Sequence, residues 1–118
     1  MANPNILNLT SIVGKSNTFA LSTGAATTIL SGSVNSLIKV NNIIIGNMDG
    51  ATAYGVNVGY YNGSTSLVFA NNVSVPAQSI LSLVDKTASF YLEESHYLYA
   101  NTSISNKLNM VVSYEVLT

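Results

Sequence analysis

Tyr54-Gly55-Val56-Asn57-Val58-Gly59-Tyr60-Tyr61-Asn62-Gly63-Ser64-Thr65-Ser66-Leu67-Val68-Phe69-Ala70 is the stretch that decides the fold. Its first half alternates large residues with Gly or Asn, the period-two signature of a strand with one apolar face. Asn62-Gly63 then interrupts the alternation, and Asn-Gly suits a type I′ turn because both residues tolerate positive φ. The spacing predicts a β-hairpin: strand 52–61, turn at Asn62-Gly63, strand 64–70. Gly55 and Gly59 leave the outer face of the first strand bare, which suits close approach of another backbone.

Outward from the hairpin, the same period recurs. At the C-terminus Leu108, Met110, Val112, Tyr114 and Val116 alternate with Asn109, Val111, Ser113, Glu115 and Leu117. The stronger apolar face lies on the even positions. A turn at Met48-Asp49-Gly50 is expected to join a strand over 37–46 to the strand 52–61 as a second hairpin. Further strands are expected at 6–13, 17–22, 26–30, 79–85 and 88–92, with a short one near 96–100. Gly14, Gly24, Gly32, Pro76 and Asn101-Thr102-Ser103 punctuate them. Asn, Ser and Thr are abundant throughout and favour turns and pleated backbone over helix.

Roughly eight to ten short strands with frequent turns imply an all-β chain, folded as an antiparallel β-sandwich. A jelly-roll-like arrangement is the expected form. The chain of 118 residues fits one domain, 1–118. Residues 1–5 read as a polar N-terminal arm or a frayed end. Neither a repeat of solenoid length nor a linker divides it.

Composition narrows the function classes. Only 8% of the residues are charged, against about 25% in a typical soluble domain. There is no Arg, Cys or Trp, and one His. Catalysis draws on clustered groups that move protons, bind metal or hold anions, so the expectation is no enzyme and no cofactor. The net charge of -1 and the scattered Lys15, Lys39, Lys86 and Lys107 exclude a strong grip on nucleic acid. No stretch approaches the run of about 20 apolar residues that a membrane helix needs. The N-terminal residues do not have the pattern of a secretory signal, so the expectation is assembly in the cytosol.

Glu93, Glu94 and His96 form the densest titratable group. They could hold a metal or act as an acid–base pair, but they read more simply as a polar turn between strands 88–92 and 96–100. Asp49-Gly50 and Asp85-Lys86 also suit turns, because Asp side chains bond nearby backbone amides. Phosphate-loop, dinucleotide and nucleophile-elbow motifs are absent. The sequons beginning at Asn8, Asn62, Asn72 and Asn101 are read as unused. The tyrosines carry more information, because Tyr joins an apolar body to a polar tip. Tyr60, Tyr61, Tyr91, Tyr97 and Tyr99 are the candidate interface residues. They divide between core, protein–protein interface and ligand platform.

Several words of this sequence resemble small virion structural proteins of marine tailed bacteriophages. They are the opening Met1-Ala2-Asn3-Pro4-Asn5-Ile6-Leu7-Asn8-Leu9-Thr10-Ser11-Ile12-Val13-Gly14-Lys15, Ile43-Ile44-Ile45-Gly46-Asn47-Met48-Asp49-Gly50, and Val73-Ser74-Val75-Pro76-Ala77. To these are added Leu83-Val84-Asp85-Lys86, Tyr91-Leu92-Glu93-Glu94 and Val111-Val112-Ser113-Tyr114-Glu115. The resemblance spans nearly the whole chain and rests on short words rather than a chemical motif. It implies a β-rich, non-enzymatic protein of the virus particle. The expected role is a capsid decoration (cement) protein, localised to the virion and partnered by the major capsid protein or other virion proteins. It would also partner itself, as a homotrimer. A neck, tail or fibre component is the alternative, and a glycan-binding β-sandwich using Tyr60, Tyr61, Tyr97 or Tyr99 is the second. No nucleic acid or membrane partner is expected.

Overall fold

The computed structural model describes residues 7–21, 27–85, 89–102 and 107–118. Among them it contains nine strands: β1 (Ile12–Ala20), β2 (Thr27–Ser31), β3 (Leu37–Asn47), β4 (Tyr54–Tyr61), β5 (Ser66–Val75), β6 (Ile80–Val84), β7 (Phe90–Leu92), β8 (Tyr97–Thr102) and β9 (Leu108–Leu117). They form two antiparallel sheets packed as a sandwich. The first has the order β1-β9-β3-β6, with β7 also paired to β3; the second has the order β2-β8-β4-β5.

The pairing is nested around the hairpin of the opening stretch. β4 pairs with β5, β3 with β6 and β7, β2 with β8, and β1 with β9. In sequence each of these pairs encloses the one before it, and the β3–β9 and β4–β8 pairings join them side by side within the two sheets. The hairpin tip itself differs from the expectation. Among Asn62, Gly63 and Ser64 only Gly63 has positive φ, at 91°, the sign pattern of a type II′ turn. The Asn62 side chain explains why it keeps an ordinary φ. Its Oδ1 accepts from the backbone N–H of Ser64 at 3.1 Å and of Thr65 at 2.8 Å.

Alternation sets the core. Leu108, Met110, Val112 and Tyr114 of β9 point inward, as do Val56 and Val58 of β4 and Leu98 and Ala100 of β8. In β3 the inward set shifts from Ile38 and Val40 to Ile43 and Ile45. A bulge between Val40 and Asn42 causes the shift, because an extra residue reverses the side to which every later side chain points. Each fully buried Leu, Ile or Val contributes about 1.5–3 kcal/mol through loss of water contact.

Met48-Asp49-Gly50 does not close a hairpin. β3 and β4 lie in different sheets, and this segment carries the chain from one to the other. Buried Asn47 makes the crossing possible. Its Nδ2 donates to the carbonyls of Thr52 and Val75, both at 2.9 Å, and its Oδ1 accepts from Asp49 N–H at 2.9 Å. Asp49 continues the arch by accepting from Ala51 and Thr52 N–H. These bonds satisfy the backbone where no ladder does.

The expected strands 6–13 and 17–22 are one strand, β1, which pairs with β9 at every residue from Ile12 to Ala20. Gly14 does not break it, since it keeps its ladder place opposite Glu115. β5 runs past residue 70 to Val75, with Asn72 at positive φ absorbing an irregularity. β7 begins at Phe90. The arm read at residues 1–5, and residues 6, 22, 26 and 88 of the expected strands, lie outside the described residues.

Candidate functional site: a tyrosine face and an apolar edge

The five candidate tyrosines separate into two groups because β4 and β8 alternate in phase. Val56, Val58, Leu98 and Ala100 fill the core, so Gly59, Tyr61, Tyr97 and Tyr99 fall on the outer face of the second sheet. Tyr61 stands opposite Tyr97 and Gly59 opposite Tyr99. The rings of Tyr61 and Tyr97 stack, with centroids 4.7 Å apart and planes at 24°. Tyr97 and Tyr99 are 6.1 Å apart and tilted by 60°. The phenol end of Tyr99 lies over Gly59, within 2.2 Å of where a Cβ would sit. The bare face of β4 is therefore covered by a ring and not by an approaching backbone. Gly55 is likewise covered by the Asn72 side chain.

Beside these rings lies a shallow recess of about 270 Å³, lined by Thr28, Ser66, Tyr97 and Tyr99. All four groups end in a hydroxyl. None of the four strands of this sheet contains Asp, Glu, Lys or Arg. Along the same face Asn57 donates to Asn101 at 3.1 Å.

Tyr60 points the other way. Its hydroxyl shares a 2.6 Å hydrogen bond with His96 Nδ1 and lies 3.4 Å from the Tyr91 carbonyl, to which it donates. Burial pushes the Tyr60 phenol pKa above its ordinary value, and the Glu93 carboxylate adds to the rise, against a lowering backbone hydrogen bond. Tyr91 is exposed on β7 of the first sheet, away from the ring cluster.

Glu93, Glu94 and His96 form the turn between β7 and β8. His96 N–H donates to the Glu93 carbonyl, Ser95 takes positive φ, and Glu94 accepts from Asn35 N–H at 3.3 Å. The imidazole turns to Tyr60, so the three side chains do not meet at one point. Among the described residues no three His, Cys, Asp or Glu groups are placed to hold a metal ion.

A second feature went unread in the sequence. β5 is the edge of its sheet, and there Leu67, Val68 and Phe69 are about half exposed. A bulge between Ala70 and Val68 frees Phe69 from the ladder. Phe69 leans toward Phe90 across the gap between the sheets, with ring centroids 6.2 Å apart. Tyr60, Phe69, Leu83, Val84 and Phe90 line an open groove of about 420 Å³. Ile80 stands exposed on β6, the facing edge. The signal was present: Leu67-Val68-Phe69 is an apolar run that breaks the alternation.

At the opposite edge, a cleft of about 500 Å³ includes Lys15, Asn17, Ser31 and Tyr114 in its lining. Its titratable side chains are Lys15 and Tyr114. No protein-family model matches the chain, and no curated protein matches it.

Proposed function

We propose that the protein is a non-enzymatic structural component of a phage particle, a decoration protein that bridges capsid subunits on the outside of the head. The observation that carries the assembly role is the apolar edge of β5 and its groove. Sheet edges are ordinarily blunted by charge, Pro or a covering element. β5 carries no charged residue and no Pro, its Leu67, Val68 and Phe69 are each about half exposed, and Phe69 opens onto the apolar groove. Such a patch marks a contact site. Covering it on a partner contributes about 25 cal/mol per Å² of apolar area. Repeated over many copies, that contact would hold neighbouring capsid proteins against internal pressure.

The placement on a virion rests on the resemblance of the sequence words. The nested strand pairing supports the finer reading of the sandwich as a jelly roll, an architecture used in viral shells. A homotrimer, with the β5 edge turned to the capsid, is the proposed assembled form.

The test is a particle experiment. A virus lacking the gene should form heads that break at lower temperature, and the purified protein should rebind them and restore stability. Phe69→Asp, at a half-exposed position, should fold and rebind at least about tenfold more weakly. Unchanged particle melting in the deletion virus overturns the reading. A few copies per particle, confined to the neck or tail, would replace decoration with a connecting role.

A further inference from the structure

The outer face of the second sheet is chemically unlike the β5 edge, and the difference identifies a second kind of ligand. We infer that Tyr97 and Tyr99, with Thr28 and Ser66, form a binding site for a neutral glycan.

Three observations converge on a sugar. The first is the aromatic surface: three rings in a row, Tyr61, Tyr97 and Tyr99, at centroid spacings of 4.7 and 6.1 Å, each partly open to solvent. The C–H faces of a pyranose ring stack on aromatic rings of this kind, and the apolar body with a polar tip suits a ligand that is itself amphipathic. The second is the recess between Thr28, Ser66, Tyr97 and Tyr99, whose about 270 Å³ has room for a sugar ring. Its lining ends in four hydroxyls. Each hydroxyl both donates and accepts, as do the hydroxyls of a sugar, so pairing is possible in any rotamer.

The third is charge. No strand of this sheet holds an ionisable Asp, Glu, Lys or Arg. A carboxylate or sulfate laid against these strands would lose water without gaining a cation from them, which is costly; Lys15 lines the separate cleft that Thr28 also borders. The site therefore selects neutral sugars over sialylated, uronic or sulfated ones. The scaffold is also prearranged. Gly59 leaves the space that holds the Tyr99 ring, and Tyr61 supports Tyr97 by stacking, so little ordering is left for the ligand to impose.

The experiment uses the full chain labelled with nitrogen-15, titrated at millimolar concentration with cello-, manno- and N-acetylchito-oligosaccharides. Polygalacturonate and heparin oligosaccharides are run beside them. The expected result is that one of the neutral sugars shifts the amides of Thr28, Ser66, Tyr97 and Tyr99. Tyr97→Ala should weaken that binding at least about tenfold while the chain still gives a folded, dispersed amide spectrum. Tyr91→Ala, on the first sheet, should leave binding unchanged. The proposal is overturned if none of the neutral sugars shifts these amides, if the shifts map elsewhere, or if only the anionic sugars bind. The variants leave Phe69 and the apolar groove intact, so failure here does not touch the particle reading.

Discussion

The two sheets share one core and differ on their outsides. The strands of the first sheet carry Lys15, Lys39 and Glu115, and Lys39 stands directly opposite Glu115 in the ladder. The strands of the second carry no charge at all. Their glycines differ in the same way. Gly46, in β3, faces open space, whereas Gly59, in β4, is filled by the end of the Tyr99 ring. Burial rules treat the two inner faces alike, since both need apolar residues at alternate positions. The outer faces are free of that demand.

The largest expected effect tests the likeness. Ile45→Ala in β3 and Leu98→Ala in β8 remove fully buried side chains from opposite walls of one core. Each should cost about 2–5 kcal/mol in urea unfolding. A cost confined to one sheet would mean that the sandwich does not unfold as a unit.

A smaller effect tests the difference. Gly59→Ala places a Cβ where the Tyr99 phenol sits and should cost about 1–3 kcal/mol, with loss of the ring arrangement in aromatic circular dichroism. Gly46→Ala meets nothing within 4 Å and should be neutral, or stabilising by up to about 1 kcal/mol. Equal costs at the two glycines would break the contrast.

The smallest effect concerns the corner that joins the sheets. The Asp49 carboxyl lies below its ordinary pKa, held there by the backbone N–H groups of Ala51 and Thr52 and then by the Tyr54 hydroxyl. A lowered folded-state pKa means stability that is present above the unfolded value and lost as pH falls through the folded one. Melting temperature should therefore decline through the acid range below the ordinary carboxylate pKa. Asp49→Asn keeps an acceptor for both amides and should flatten that decline. An unchanged acid profile in the variant would remove Asp49 from the account.

Legibility followed the physics of range. The hairpin of β4 and β5 was readable because turn chemistry and alternation act within a few residues. The even-numbered inward face of β9 was readable for the same reason. The arch at Met48-Asp49-Gly50 looked like a hairpin because an Asp-Gly turn serves both, and the deciding bonds come from Asn47 to Val75, 28 residues away. The candidate tyrosines were identified as residues but not as a site. Tyr60 and Tyr61 are adjacent in sequence and lie on opposite faces, while Tyr61 and Tyr97 are distant and stacked. The apolar groove was missed because it needs Phe69 from one sheet and Phe90 from the other.

By itself the sequence determined that this chain is all-β, that a hairpin turns near Asn62-Gly63, which side of each clear strand is greasy, and that charged side chains are scarce. Those follow from local backbone preferences and a two-residue period. Only the tertiary structure decided which strands neighbour one another, that the pairs nest about one hairpin, and that three tyrosines from two strands share an uncharged face. Those depend on contacts between residues far apart in the chain, and a one-residue bulge, as in β3, is enough to move a whole run of side chains from one face to the other.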